Sequence, residues 1–191
     1  MKERPILFSG PMVRVILDGR KTMTRMVVKP QPTVDHGLVF EGIALGKFGA
    51  VSDSVIACPY GTIGDRLWVR ETWATTEQAG VHPSDAEILY RATDPDWETW
   101  DGWRWSPSIF MPRWASRLTL RIMSVSVERV QDITEADAKA EGVVPVPGTE
   151  GNSHSYRWPF CLLWDSINAG RGFGWDANPW VWVIGFEVVP Q

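Results

Sequence analysis

The sequence predicts one α+β domain, a strongly bent sheet or small barrel carrying a few short helices. Three observations lead there. Arg117–Val130 is the longest strand signal: Leu118, Leu120 and Ile122 keep one phase, and Val125 and Val127 take the other. Such a phase change marks a β-bulge, which bends a strand. Pro179–Val189 sets Trp180, Trp182, Ile184, Phe186 and Val188 on one face and Val181, Val183 and Val189 on the other, as in a strand buried on both sides. Helical periods are short: Pro11–Asp18, Thr134–Glu141 and Phe160–Asn168.

In chain order, Ile6–Phe8 reads as a short strand ended by Ser9-Gly10. Pro11–Asp18 is an amphipathic helix with Met12, Val15 and Ile16 on one face. Pro11 suits its first turn, and Gly19 suits the left-handed position past its end. Thr22–Val28 then extends, and Lys29-Pro30-Gln31-Pro32 ends the strand. Residues 33–62 are Gly-rich, with a hairpin expected from Leu38–Phe40 and Ile43–Leu45. Gly64-Asp65 turns into a strand over Arg66–Thr72, where Leu67 and Val69 alternate with Arg66, Trp68 and Arg70. Ala86–Ala92 is another strand, with Ile88 and Tyr90 on one face and Leu89 on the other. Trp97–Trp105 is acidic and aromatic: a loop pinned over a satellite cluster, or a lid that stacks on a base. Thr134-Glu135-Ala136-Asp137 resembles a capping box, opening a helix that Gly142 stops. A loop over 143–157 leads to the last helix, Phe160–Asn168. The expected organisation is one domain over 1–191, with insertions near 30–62, 93–112 and 143–157.

Composition narrows the function classes. Cys58 and Cys161 give neither a metal-like spacing nor a disulfide framework, so a reducing, cytoplasmic setting is expected. Met1-Lys2-Glu3-Arg4-Pro5 is followed by no signal-peptide core. No apolar run approaches the roughly 20 residues of a membrane span. His36, His82 and His154 lie far apart in loop-like sequence, so no zinc site, and no other metal or cofactor, is expected. Neither a phosphate-cradling glycine loop nor a Gly-x-Ser-x-Gly elbow is present.

Net charge is −4, unevenly spread: residues 1–29 hold seven basic and two acidic side chains, leaving twelve and twenty-one for the rest. A local basic patch suits a small anionic or nucleotide-like partner, or is a solvated edge. It lacks the broad footprint of a duplex-DNA binder. Most of the twelve tryptophans are expected in the core, with a minority free to stack on bases.

Candidate site residues begin with Gly19-Arg20-Lys21-Thr22-Met23-Thr24-Arg25, at a helix–strand handover. Lys21 and Thr24 there are a base beside a hydroxyl, or two ordinary surface residues. Arg113, Trp114 and Arg117 combine guanidinium groups with an aromatic face, a pairing suited to a nucleotide. Trp68, Arg70 and Glu71 frame a possible pocket, with Trp68 and Arg70 sharing one strand face and Glu71 the other. For Trp68 and Trp114, core packing is the simpler expectation.

Read with Gly64-Asp65 and Ile133–Glu141, the Gly19–Arg25 stretch resembles the ASCH domain of the PUA-like superfamily, a small barrel-like sheet flanked by helices. That family's first signature is a Gly-x-Lys-x-x-Glu-x-Arg-type segment; Gly19 and Lys21 fit it, and Thr24 takes the acidic position. Bacterial ASCH enzymes that hydrolyse acetylcytidine carry the same threonine, and their glutamate after a Leu-Thr-Glu helix start corresponds to Glu141. The resemblance implies a Thr24–Lys21–Glu141 catalytic set; Arg20 and Arg25 are expected to supply nearby positive charge and to contact the substrate. A lysine serves as base to a threonine only where burial or positive neighbours favour its neutral form. One position departs from the pattern: the family's arginine, two positions beyond the acidic residue, is Met26 here, and its neighbour Arg25 faces the other way on a strand.

Arg4–Phe8, Gly64–Trp73, Met111–Arg117 and Asn178–Val183 also resemble a class of bacteriophage and prophage proteins, a likeness spanning nearly the whole chain. Together these resemblances imply a phage-type ASCH protein that binds a nucleoside, nucleotide or RNA and acts as an amidohydrolase on an acylated cytidine-like base. The alternative is a non-catalytic RNA or modified-nucleic-acid module.

Overall fold

The computed structural model describes residues 1–32, 47–49, 55–75, 87–94, 104–146 and 155–190. The chain forms β1 (Glu3–Leu7), α1 (Gly10–Leu17), β2 (Met23–Val27), β3 (Lys47–Gly49), β4 (Val55–Ala57), β5 (Arg66–Arg70), β6 (Trp73–Thr75), β7 (Ile88–Tyr90), β8 (Thr119–Arg129), α2 (Glu135–Ala140), α3 (Arg157–Asn168) and β9 (Trp180–Val189). The fold is α+β. Five strands make one sheet in the order β1-β5-β8-β9-β2, with β1 parallel to β5 and every other pairing antiparallel. β3–β4 and β6–β7 are separate two-stranded ladders. Among the described residues the main sheet is open, with β1 and β2 as its edges, and no closed barrel forms.

The core is built around β9. Its Trp182, Ile184 and Phe186 pack with Leu67, Leu120, Ile122 and α1's Val13 and Ile16; Val181 and Val183 pack on Phe160, Trp164 and Ala138 beneath α2 and α3. Both faces are therefore covered, as the two-sided apolar pattern requires. The expected bulge lies in β8: Ile122 opposes Phe186 and Ser124 opposes Gly185, so Met123 is the extra residue. It keeps Val125 and Val127 on the same core side as Leu120 and Ile122. It also turns Glu128 toward α2 and α3. At the bulge, a Cβ on Gly185 would meet the Ser124 hydroxyl, which would have to rotate away.

The Gly64-Asp65 turn is tied to the first strand. Gly64 has φ 88°, and Asp65 accepts from the amides of Lys2 (2.7 Å) and Thr62 (3.3 Å) and from Arg4 (3.3 Å). The Lys2 amide, followed by the other partners, holds the Asp65 carboxyl below the usual range despite some desolvation.

Several boundaries differ from expectation. The first strand starts at Glu3 because backbone pairing with β5 begins there, not at the apolar run. In α1 the buried positions are Val13 and Ile16, while Val15 turns toward Gly142. The strand expected over Ala86–Ala92 is confined to Ile88–Tyr90 among the described residues. The Leu38–Phe40 and Ile43–Leu45 hairpin and Trp97–Trp103 lie outside the described residues.

The last helix starts three residues early because α2 caps it. Glu135 accepts from the Ser155 hydroxyl (3.1 Å) and from the amides of Tyr156 (2.6 Å) and Arg157 (3.3 Å). A cap donated by a different helix leaves no local pattern at residue 157. The Tyr156 amide above all holds the Glu135 carboxyl below its ordinary range. This contribution is complete above the ordinary carboxylate pKa and is lost as pH falls through the lowered folded value. Glu135→Gln is therefore expected to cost about 1 kcal/mol at neutral pH. Its deficit against wild type should close as unfolding is followed from about pH 5 down to pH 3. A pH-independent deficit would rule out the charged cap.

Candidate functional site

Lys21 is placed by the ends of two helices. Gly19 adopts φ 70° just past α1, and the amides of Arg20 and Lys21 both return to the Val15 carbonyl. The Thr22 amide donates to the Ala140 carbonyl at 2.9 Å, which fixes the end of α2 alongside. Lys21 is 1% exposed. Its Nζ donates to Met23 O (2.9 Å), Glu141 O (2.9 Å) and Glu141 Oε2 (2.6 Å), using all three N–H bonds of an ammonium group. The Phe8 ring lies 5.7 Å from it. Glu141, 5% exposed, is the residue just past α2.

Arg25 completes the cluster. Its Nε and Nη2 donate to Glu128 Oε1 at 2.9 and 2.6 Å, and Nη2 also donates to Asp137 Oδ2 at 3.2 Å. Nη1 donates to Glu141 Oε1 and to the Met23 sulfur, each at 3.4 Å. All five guanidinium donors are thus engaged. One carboxylate, Glu141, is held from both sides, by Arg25 on Oε1 and Lys21 on Oε2. Lys21, Arg25 and Glu141 are buried, where charges are tolerated only when paired and hydrogen-bonded, while Glu128 and Asp137 are half-buried at the rim of the cluster.

Thr24 is 4% exposed and sits opposite Ile184 in β2. Its hydroxyl forms no hydrogen bond among the described residues. It therefore lies on the strand face opposite Arg25, beside the Lys21–Glu141 pair in sequence but not bonded to it. Met26 packs against the main core, on the face away from Arg25. Arg20 is exposed and pairs with Asp18 at 2.8 Å. A surface groove of about 400 Å³, lined by Gly19, Arg20, Thr22, Lys139 and Gly142 among others, opens beside this cluster.

The other candidates form a second group. Trp68 is 9% exposed, with the Arg70 guanidinium 4.8 Å above its ring. Arg70 donates to the Met111 carbonyl at 3.1 Å. Glu71, 1% exposed, receives Arg117 through both oxygens at 2.9 and 3.0 Å. Arg117 stacks 3.9 Å from the Tyr90 ring, and burial pushes the Tyr90 hydroxyl above its usual range. Arg113 is exposed and paired with Glu3 at 3.0 Å. The core-packing expectation holds for Trp68 but not for Trp114, which is 60% exposed and meets Trp73 edge-on at 5.7 Å. Ala115 takes the inward position of that 3-10 turn instead. Phe8 touches both groups: its amide donates to Arg70 O, and its ring faces Lys21.

Glu128, Asp137 and Phe8 were not foreseen as site residues. Asp137 had a visible signal, its place in the capping box with Thr134, and it serves Arg25 and the cap together. Glu128 had none until the bulge assigned its face.

Among the described residues no group of three or more His, Cys, Asp or Glu side chains is placed to hold a metal ion. Among the same residues no helix is long and apolar enough to cross a membrane. All three histidines lie outside the described residues.

No family profile and no curated protein sequence matches the chain. Solved structures similar to it include a protein of the DUF984 family from Enterococcus faecalis V583, at 10% identity and TM-score 0.46, covering 99% of this chain and 81% of that one. Another is an ASCH domain from Lactobacillus crispatus JV V101, at 11% identity and TM-score 0.43, covering 98% of this chain and 79% of that one. Nothing about the chemistry of the site follows from likenesses at this level.

Proposed function

We propose that the chain is a phage-type ASCH protein that binds a cytidine-like nucleoside, free or within RNA, beside Lys21 and Glu141, and hydrolyses an N-acyl group from its exocyclic amine. The observation that supports this most is the 2.6 Å contact between Lys21 Nζ and Glu141 Oε2, made between side chains 1% and 5% exposed. These are two of the three residues that the segment resemblance assigns to catalysis, and 120 positions separate them.

Lys21 already donates all three of its N–H bonds, so it first passes one proton to Glu141 Oε2. The neutral amine then takes the Thr24 hydroxyl proton as that oxygen attacks the acyl carbon. Glu141 returns its proton to the leaving nitrogen as the C–N bond breaks. Water hydrolyses the Thr24 ester, releasing the carboxylic acid and restoring the hydroxyl. Arg25, with every donor engaged, acts on this step through Glu141 and not on the ligand. Trp68, Arg70, Glu71, Arg113, Trp114 and Arg117 are proposed to face or frame the ligand, and Arg20 to contact it from the groove.

Incubation with acetylcytidine should release cytidine and acetate, and Lys21→Ala, Thr24→Ala and Glu141→Ala should each lower the rate at least about 100-fold. The saturated ammonium favours a second reading, binding of the same ligand without turnover. An inert wild type that still binds the nucleoside decides for that reading against hydrolysis.

A further inference from the structure

The main core leaves one face of β1, β5 and the first half of β8 uncovered, since Ile6, Leu67, Val69 and Leu120 point the other way. Along β1 that face carries Glu3, Pro5 and Leu7, all exposed, with Leu7 beside Arg70 in register. The 3-10 turn Ser108–Phe110 is fastened next to it. Arg70 Nε donates to the Met111 carbonyl at 3.1 Å, and the Met111 side chain is wholly buried. Two residues on, Arg113 bonds Glu3 at 3.0 Å and Thr119 at 3.4 Å, which ties the chain to β1 and β8. These anchors leave Ile109 and Phe110 turned outward, 55% and 68% exposed, near Leu7 at 45%. Large apolar side chains held out together by an anchored turn mark an interaction surface.

The same face is basic. Arg66, Arg70, Arg113 and Arg121 are answered there by Glu3, 3.0 Å from Arg113 and 4.0 Å from Arg66, and by Glu187, in direct contact with Arg121. The patch is positive on a chain whose net charge is −4.

These features select among partners. Leu7 and Ile109 are aliphatic and give a base nothing to stack on, and so small a positive excess lacks the footprint of a polyanion site. An isologous contact between two copies would set the arginines of one against those of the other. A partner strand is also excluded. Lys2 O and Phe8 N bond to β5, so Glu3, Pro5 and Leu7 form the free edge, where Pro5 has no N–H to offer. What remains is side-chain recognition, with apolar anchors inside a basic rim. We infer that this face docks an acidic segment of another protein, its apolar side chains on Leu7, Ile109 and Phe110 and its carboxylates on Arg66 and Arg121.

The test is selection of a displayed random-peptide library on the wild-type protein, with Ile109→Ser/Phe110→Ser as the subtracted background. Sequences rich in Asp and Glu, with Leu or Phe between them, should be enriched. A labelled peptide of the enriched sequence, followed by fluorescence anisotropy, should lose about tenfold in affinity on Phe110→Ser, as for a single anchor residue. Arg66→Gln/Arg121→Gln should weaken binding about fivefold at low salt, a deficit that shrinks as salt screens the rim charges. All these side chains are at least partly exposed, and melting curves verify that each variant is folded. No enrichment above the subtracted variant, enrichment of basic or uncharged sequences, or an affinity unmoved by Phe110→Ser would overturn the assignment. Two further results would overturn it in favour of a different occupant. Sedimentation showing a dimer that Phe110→Ser dissolves gives the patch to a second copy, and an oligouridylate bound more tightly than the peptide gives it to a polyanion. None of these readouts passes through Lys21 or Glu141, so their failure is separate from that of the hydrolase reading.

Discussion

Glu141→Ala should lower the unfolding temperature by about 10 °C, the loss expected when one member of a buried ionic cluster is removed, at about 3–5 kcal/mol and 2–4 °C per kcal/mol in a chain this size. The reason lies in what stays behind. Lys21 keeps its bonds to Met23 O and to the backbone carbonyl of residue 141 but loses its counter-charge. Arg25 keeps Glu128 and Asp137 and loses one acceptor. Two cations then remain buried against two carboxylates that reach only one of them directly. Glu141→Gln retains the shape and one acceptor oxygen, so it should fall between wild type and the alanine variant. Thermal unfolding followed by circular dichroism reads both. If alanine shifts the midpoint by less than about 2 °C, the cluster is more open to water than its burial implies.

Gly142→Ala should be the next most damaging change, at about 3 kcal/mol, combining left-handed strain of about 1–2 kcal/mol with overpacking of about 1–3 kcal/mol. Gly142 has φ 84°, and a Cβ would lie 2.9 Å from both Lys21 Cβ and Val15 Cγ2. Gly19 provides the control. It also has positive φ, at 70°, but nothing lies within 4 Å of its added Cβ. Gly19→Ala should therefore cost strain alone, about 1 kcal/mol. Equal losses at the two glycines, measured by denaturant unfolding, would show that backbone strain dominates and that Lys21 has room to shift. Unequal losses should be accompanied at Gly142 by impaired turnover or ligand binding, because the displaced atom belongs to Lys21.

What the sequence made legible is mostly what local chemistry controls. The two-sided apolar run of β9, the phase slip that becomes the Met123 bulge, and the Gly19 exit from α1 each depend on residues close together in the chain. The site was legible only in part. Lys21 and Glu141 were paired through a resemblance of short segments, and no periodicity could have paired them. Arg25 was expected at a ligand; it lies sealed among Glu128, Asp137 and Glu141. The basic N-terminal run, taken as a partner-facing patch or a solvated edge, divides: Lys21 and Arg25 are spent inside the cluster, while Arg14 on the Ala92 carbonyl and Arg20 on Asp18 stay at the surface. Charge counted along a chain carries no information on which cations meet carboxylates from distant strands. Trp114 failed the same way, because tryptophan's preference for burial is an average and a 3-10 turn with alanine facing inward leaves its neighbour outside.

The first 28 residues have a consequence beyond their own contacts. β1 and β2 are consecutive strands, yet they occupy opposite borders of the sheet, with α1 as the strap between them. Removing that one segment would bare the hydrogen-bonding rows of β5 and β9 at once, giving two adhesive margins where edge strands had closed them. The order of synthesis adds a delay. β2 leaves the ribosome well ahead of the row it must join, Val181–Gly185. Until then the segment is a clasp without its far catch, and a nascent chain stalled before β9 would carry every member of the ionic cluster, from Lys21 to Glu141, with no strand to seat β2 in the sheet.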